Sequence, residues 1–162
     1  MTSVPVLGPE DVYRAVSPHE AYDAVRAAFE AHARETWSMP SKVYVTNYPA
    51  GDFRAMPALG GGYALLKWVT SFPGNPARGL PTVSGLVLLS NAETGELEAV
   101  LDAAAVTALR TAAAGVIAAE TLGRPDGSTA VVGLGVCPPS PGSSSCPTPK
   151  KDAFSPCWTQ PP

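Results

Sequence analysis

Apolar and polar residues alternate through the middle of the chain, which is the pattern of half-buried β-strands. The two longest apolar runs, residues 63–71 and 82–90, are rich in β-branched side chains and predict two strands. The connector between them holds three prolines and two glycines, so we expect a rigid loop without regular structure. Shorter runs predict three more strands, at residues 42–48, 53–57 and 96–101. Five strands joined by tight turns favour a mixed or antiparallel sheet.

Two other stretches repeat apolar residues at helical spacing. The first has an N-cap serine, Ser17, followed by Pro18 and Glu20, and should end near Thr36. Its predicted inward stripe consists of Ala21, Val25, Ala28 and Phe29, with His32 at the edge. Asp102 caps a second helix, residues 103–121. We expect the first helix to cover the sheet, which gives an α+β domain over residues 1–122, a mixed sheet with helices.

Two cations stand out from these elements. Lys67 lies between Leu66 and Trp68 in the most apolar strand. An ammonium there is either on the exposed side of an edge strand or placed to bind an anion, and the sequence does not decide between them. Arg110 lies inside the second helix, where a lone arginine is usually a solvated charge. Among so many alanines, however, a guanidinium can also reach a ligand anion.

Charge and composition exclude some classes of function. The net charge of −3 over 162 residues gives no basic surface, so we expect neither a nucleic-acid partner nor a membrane partner. The N-terminus lacks the basic region and apolar core of a signal peptide, and the longest apolar stretches are shorter than a membrane span. We therefore expect a cytoplasmic protein.

Cysteine and proline are concentrated at the end of the chain. Cys137, Cys146 and Cys157 lie within the last 26 residues, together with eight of the 18 prolines. The odd number of cysteines and their spacing match no zinc or disulfide pattern, so we expect no metal site. A Pro/Ser/Cys-rich segment such as 137–162 is expected to stay disordered.

A glycine motif precedes that segment. Residues 129–135 predict a strand that ends in Gly133-Leu-Gly135, which is how a dinucleotide-binding βα unit begins. The motif is weak by itself, because a helix and then a strand with an acidic residue should follow. Here Cys137-Pro-Pro follows instead, and these prolines prevent that helix. The sequence thus predicts the first half of a phosphate site without its second half.

Taken together, seven segments between about residue 5 and residue 136 resemble the ornithine cyclodeaminase/mu-crystallin family in order and spacing. They are Met39-Pro-Ser-Lys42, Phe53-Arg-Ala-Met-Pro57, Lys67-Trp-Val69, Phe72-Pro-Gly-Asn75, Gly79-Leu-Pro-Thr82, Thr107-Ala-Leu-Arg-Thr-Ala-Ala113 and Gly133-Leu-Gly135. The resemblance implies an N-terminal substrate-binding and dimerisation domain, followed by a Rossmann-type domain for NAD(H) or NADP(H).

The resemblance also implies roles for the matching positions. Lys67 matches the family's active-site lysine, near the substrate carboxylate, and Lys42 matches a basic position that holds the same carboxylate. Thr82 and Arg110 match cofactor-contacting positions, and Arg110 can also touch the substrate. The matching residues of the phosphate turn are Gly133, Gly135 and Val136.

The implied activity is NAD(P)-dependent chemistry on the carbon–nitrogen bond of a small amino or imino acid. A full-length relative is expected to be a cyclodeaminase (a lyase) or an imine/ketimine reductase (an oxidoreductase), acting as a homodimer through its N-terminal sheet. Arg54 stands where ornithine-specific members can have an acidic residue, which argues against ornithine as the substrate. The alternatives are a mu-crystallin-like ligand-binding or structural protein, or a non-functional fragment.

The sequence departs from the family after Val136. Residues 123–136 match the start of the Rossmann-type domain, whereas 137–162 have no counterpart of its remaining strands, its acidic ribose-binding residue or its catalytic aspartate. Our hypothesis is an out-of-frame or otherwise aberrant end on a truncated family member, which translation of the downstream reading frames would test. We expect this chain to be inactive as written, since half a nucleotide site cannot hold a hydride donor against a substrate.

Overall fold

The computed structural model describes residues 3–123, which form one six-stranded sheet and three helices. The strands are β1 (Val6–Leu7), β2 (Val43–Asn47), β3 (Gly51–Gly60), β4 (Tyr63–Ser71), β5 (Val83–Asn91) and β6 (Leu97–Asp102). The helices are α1 (Pro9–Ala15), α2 (Pro18–Ala33) and α3 (Ala103–Leu122). The predicted strand of residues 129–135 lies outside the described residues.

The sheet order is β1-β6-β5-β4-β3-β2, so the strand with Lys67 lies in its middle. Strands β2 to β6 form antiparallel pairs along the chain, as expected for successive hairpins. The exception is β1, which runs parallel to β6 and pairs Val6 with Val100. The sheet is therefore mixed, as the sequence predicted.

Local sequence explains where the helices begin. The Ser17 hydroxyl accepts the Glu20 backbone N–H, while the Glu20 carboxylate accepts the Ser17 N–H, which is the predicted capping box. At α3 the Asp102 carboxylate accepts the N–H of Ala105 at 2.7 Å. By length and composition alone α3 could cross a membrane, which is also true of the core helices of soluble proteins. In the fold, however, it packs against the sheet.

Several sequence-based expectations were wrong. The sheet is contacted by α1 and α3 among the described helices, whereas α2 packs on α3, so the first predicted helix does not cover the sheet. Phe29, which we placed on the inward stripe of α2, is exposed. The connector between β4 and β5 contains a short 3₁₀ helix, Asn75–Arg78. The short elements β1 and α1 were not predicted, because two residues and seven residues are too few to show a period.

One face of the sheet packs against α3, whereas the apolar residues of the other face are exposed. Side chains alternate along each strand, so Lys67, Val69 and Val87 share the face that packs against α3. Val87 is the best buried of these, with 1% of its surface exposed. Trp68 and Leu86 stand opposite each other on the other face, 38% and 48% exposed. We call this second face the open sheet face; its other exposed apolar residues include Val6, Val43, Val45, Leu59 and Leu66.

Candidate functional site

Lys67 lies inside the sheet and not at its edge. Strand β4 pairs with β3 on one side and with β5 on the other, and Lys67 stands opposite Met56 and Val87. Its side chain is half-buried beneath α3. Of the two sequence-based alternatives, the exposed residue of an edge strand is therefore wrong.

The Lys67 ammonium is bonded to helix α3. It donates a hydrogen bond to the Thr107 hydroxyl oxygen, and the Thr107 hydroxyl donates in turn to the Ala103 carbonyl one turn earlier. Burial lowers the pKa of Lys67 below its ordinary value of 10.5, and the nearby positive charge of Arg110 lowers this pKa further. Sequence reasoning assigned Thr107 no role, although it lies in a matched motif three residues before Arg110.

Arg110 is exposed on the same helix, one turn after Thr107. Residues three apart on a helix share a face, which explains why its charge reaches Lys67. Within residues 3–123, neither Lys67 nor Arg110 forms an ion pair with a carboxylate. Two neighbouring cations without a counter-ion repel each other, and a bound anion would relieve that repulsion. The structure thus brings these two candidate residues together in an arrangement suited to a small anion.

Lys42 lies just before β2, and its ammonium is 5.7 Å from the centre of the Tyr44 ring. Tyr44 stands opposite Arg54, whose guanidinium carbon is 5.5 Å from the same ring. Arg54 in turn stands opposite Val69, so Tyr44 and Arg54 share the face of the sheet on which Lys67 lies. Lys42 is therefore held on that face by a cation–π contact, but no contact joins it to Lys67 or Arg110.

Arg54 has a close partner that sequence reasoning missed. Its Nε and Nη2 atoms donate to the two carboxylate oxygens of Asp52 at 2.6 and 3.1 Å, which is a bidentate ion pair. Asp52 is only 5% exposed, and the hydrogen bonds from Arg54 lower the pKa of its carboxyl group. The strand predicted at residues 53–57 left Asp52 out, whereas β3 begins at Gly51. The sequence did contain a signal for this ion pair, because Asp52 and Arg54 are two residues apart and such residues share one face of a strand.

Thr82 lies at the loop end of the hairpin formed by β4 and β5. Its carbonyl accepts the Phe72 N–H at 2.7 Å, and the neighbouring Pro81 carbonyl accepts the Asn75 side chain at 3.0 Å. Thr82 is five residues before Val87, about 16 Å along an extended strand, so it does not contact Lys67. Gly133, Gly135 and Val136 lie outside the described residues.

A metal centre finds no support in the described part of the chain. No group of three or more His, Cys, Asp or Glu side chains that could hold a metal ion occurs there. Buried side-chain nitrogen and oxygen atoms in this part of the chain all have hydrogen-bond partners. The covered face of the sheet carries the cations and hydroxyl groups described above, together with the Asp52 carboxylate, which is engaged by Arg54.

Comparison with known proteins agrees with the sequence resemblance. A model of the ornithine cyclodeaminase/mu-crystallin family matches residues 5–140. The chain belongs to this family. One family relative is an alanine dehydrogenase from Archaeoglobus fulgidus, 50% identical over 123 residues, which are 76% of this chain and 38% of that protein. The chain thus spans less than half the length of this relative.

Two solved structures of family members resemble the fold. One is an archaeal alanine dehydrogenase dimer with bound NAD, with a TM-score of 0.69 and 50% identity over 72% of this chain and 36% of that one. The other is the Δ1-pyrroline-2-carboxylate reductase of Thermococcus litoralis in complex with NADH and L-proline, with a TM-score of 0.68 and 26% identity. This alignment covers 72% of this chain and 37% of the reductase. The predicted α+β class, a mixed sheet with helices, is confirmed by these likenesses.

Proposed function

We propose that residues 1–122 form the substrate-binding part of an NAD(P)-dependent enzyme that acts on the carbon–nitrogen bond of a small amino or imino acid. One observation is central to this proposal. The Lys67 ammonium is half-buried and bonded to Thr107 beside Arg110, and neither cation has a carboxylate partner in the described fold. Such a pair suits the carboxylate that every amino or imino acid contains.

In this proposal each side chain has a distinct part. Lys67 donates N–H bonds to the substrate carboxylate, and Arg110 supplies a second positive charge from α3. Lys42 is the outer cation on the same face. Together they would orient the substrate so that its α-carbon faces the cofactor, which accepts or donates the hydride when bound.

The cofactor would need more than the described residues offer. Arg110 and Thr82 match cofactor-contacting positions of the family, and they provide a cation and a hydroxyl group. The glycine-rich phosphate turn, Gly133 to Val136, lies outside the described part of the chain. We assign the described residues to the substrate. Because the prolines after Val136 prevent the helix that would complete the phosphate site, we expect no measurable NAD(H) binding by this chain. Saturable binding of NADH in a nicotinamide-fluorescence titration would overturn that expectation.

The substrate class is narrowed by Arg54. Its guanidinium lies on the same face of the sheet as Lys67 and Tyr44, and the carboxylate of Asp52 is already paired with it. A basic substrate side chain that extends in this direction therefore meets an engaged ion pair and gains no carboxylate partner from it. We propose a substrate with a neutral or acidic side chain, not a basic one such as ornithine. The names of two relatives, alanine dehydrogenase and Δ1-pyrroline-2-carboxylate reductase, agree with a neutral substrate.

Binding of the carboxylate can be tested on the chain itself. L-alanine and L-proline are titrated into the isotopically labelled protein and followed by NMR shifts, with L-alaninamide as the matched ligand that lacks the carboxylate. We expect binding of both acids, loss of binding in Lys67→Met, weaker binding in Arg110→Met and no change in Arg34→Met, an exposed cation on the surface. Equal shifts with L-alaninamide, or unaltered binding in Lys67→Met, would refute the carboxylate site.

We also propose that the chain associates through the open sheet face. Its exposed apolar residues lie side by side on one face, whereas the exposed apolar side chains of a monomer are usually scattered singly. One relative is also described as a dimer. Leu86→Glu should turn a self-associating protein into a monomer in sedimentation velocity. The control Leu122→Glu places the same charge at an exposed leucine outside the sheet and should leave association intact. A monomeric wild-type protein would contradict the proposal.

A further inference from the structure

We propose that Thr107 is a positioning residue for Lys67, because its hydroxyl oxygen fixes the ammonium against α3 and decides which N–H bonds face a ligand. This inference rests on the proposed function, in which Lys67 binds the substrate carboxylate. It assigns a role to a side chain on α3 that need not contact the substrate itself.

The direction of the two hydrogen bonds supports this role. A hydroxyl group has one proton, and Thr107 donates that proton to the Ala103 carbonyl. Its oxygen is therefore left as an acceptor, which matches the three donors of an ammonium group. One Lys67 N–H is used by Thr107, and two remain available for an anion. The helical back-bond to Ala103 thus keeps the hydroxyl in the orientation that receives the lysine.

The surroundings of Lys67 offer no equivalent acceptor among the described contacts. Its cross-strand neighbours on β3 and β5 are Met56 and Val87, whose side chains are apolar. The charged groups on the adjoining elements are engaged elsewhere or are cations. Asp52 bonds to Arg54 on β3, Asp102 at the end of β6 caps α3, and Arg110 on α3 is positive.

The bond has a consequence for the protonation of Lys67. Burial and Arg110 disfavour the ammonium form and lower the pKa of Lys67. An acceptor such as the Thr107 oxygen favours the ammonium form and opposes both effects. Removing the hydroxyl should therefore lower the pKa of Lys67 further, whereas a hydroxyl that only stabilised α3 would leave the lysine unchanged.

The chain contains a matched control for this experiment. Thr121 donates the same type of back-bond, to the Ile117 carbonyl at 2.7 Å, on the same helix and without a lysine partner. We therefore compare Thr107→Val and Thr121→Val, with Thr107→Ser as the variant that restores the hydroxyl. The lysines of the chain are Lys42, Lys67, Lys150 and Lys151, so ¹³C-lysine labelling gives a simple spectrum, and a Lys67→Arg variant assigns the Lys67 signal.

We expect the Lys67 pKa from this NMR titration to fall in Thr107→Val, to return towards the wild-type value in Thr107→Ser and to stay unchanged in Thr121→Val. Equal pKa values in Thr107→Val and Thr121→Val would overturn the inference. If Thr107→Val does not fold, the comparison of Thr107→Ser with Thr107→Ala decides in the same way. A lowered pKa without any binding of L-alanine or L-proline by the wild-type protein would refute the proposed function but not the hydrogen bond.

Discussion

Val87→Ala tests whether the packing beneath α3 both stabilises the fold and tunes Lys67. Val87 is 1% exposed and stands directly opposite Lys67 on the neighbouring strand. The substitution removes the equivalent of two CH₂ groups, which corresponds to about 1.6 kcal/mol of transfer free energy. A residual cavity of roughly 50 Å³ adds about 1.2 kcal/mol, so the free energy of unfolding should fall by about 2–3 kcal/mol.

The control is a valine on the same strand and the same face. Val83 is 55% exposed, and Val83→Ala should change the free energy of unfolding by less than about 0.5 kcal/mol. Urea unfolding followed by tryptophan fluorescence gives both values, and unchanged m-values would show that the unfolded states are comparable. Equal losses in the two variants would refute the burial of Val87.

The same variant has a second readout at Lys67. A void beside the ammonium admits water, which weakens the effect of burial that lowers the pKa of Lys67. The pKa of this lysine should therefore rise towards its ordinary value in Val87→Ala and stay constant in Val83→Ala. A loss of stability without any change in this pKa would separate the packing of Val87 from the chemistry of Lys67.

Three further outcomes follow from particular contacts. Arg54 lowers the pKa of Asp52 below its ordinary 3.8, so the folded carboxyl stays ionised at pH values where the unfolded carboxyl takes up a proton. The ion pair therefore stabilises the fold fully above pH 3.8, and this stabilisation is lost as the pH falls through the pKa of the folded carboxyl. Asp52→Asn should remove it, and parallel urea-midpoint profiles of wild type and variant between pH 2 and 6 would contradict the ion pair. Gly60→Ala places a Cβ against the Trp37 ring and should destabilise the fold by about 1–3 kcal/mol, with a shift in tryptophan emission. Unchanged melting would argue against this contact. Gly115→Ala meets nothing within 4 Å on α3 and should instead stabilise the protein by about 0.5–1 kcal/mol in the same melting experiment, where a loss would show an unrecognised close contact.

Much of the fold followed from local patterns in the sequence. The five long strands and two long helices were predicted because each repeats its period several times, and the caps at Ser17 and Asp102 were predicted from side chains that act within three residues. The prediction of which long helix covers the sheet was wrong. Both long helices have an apolar stripe, and nothing local says which one meets the sheet and which one packs on its neighbour.

The residues of the candidate site were likewise predicted from local sequence, whereas their contacts were not. A lysine in an apolar strand and an arginine in an alanine-rich helix were visible in the sequence as unusual charges. Their proximity was not, because Lys67 and Thr107 are 40 residues apart and meet only after β5, β6 and α3 have folded back. The Asp52–Arg54 pair was missed for a different reason, since the strand β3 begins earlier than its apolar pattern indicated.

The parallel pairing of β1 with β6 has a consequence for synthesis of the chain. Val6 leaves the ribosome first among the paired residues, yet its partner Val100 emerges close to the end of the described fold. At typical translation rates of about 5–20 residues per second, the first strand waits for roughly 5–20 seconds with its backbone groups unpaired. The three hairpins between β2 and β5 can form during that wait, because their partners are close in sequence. The sheet thus acquires its earliest segment last.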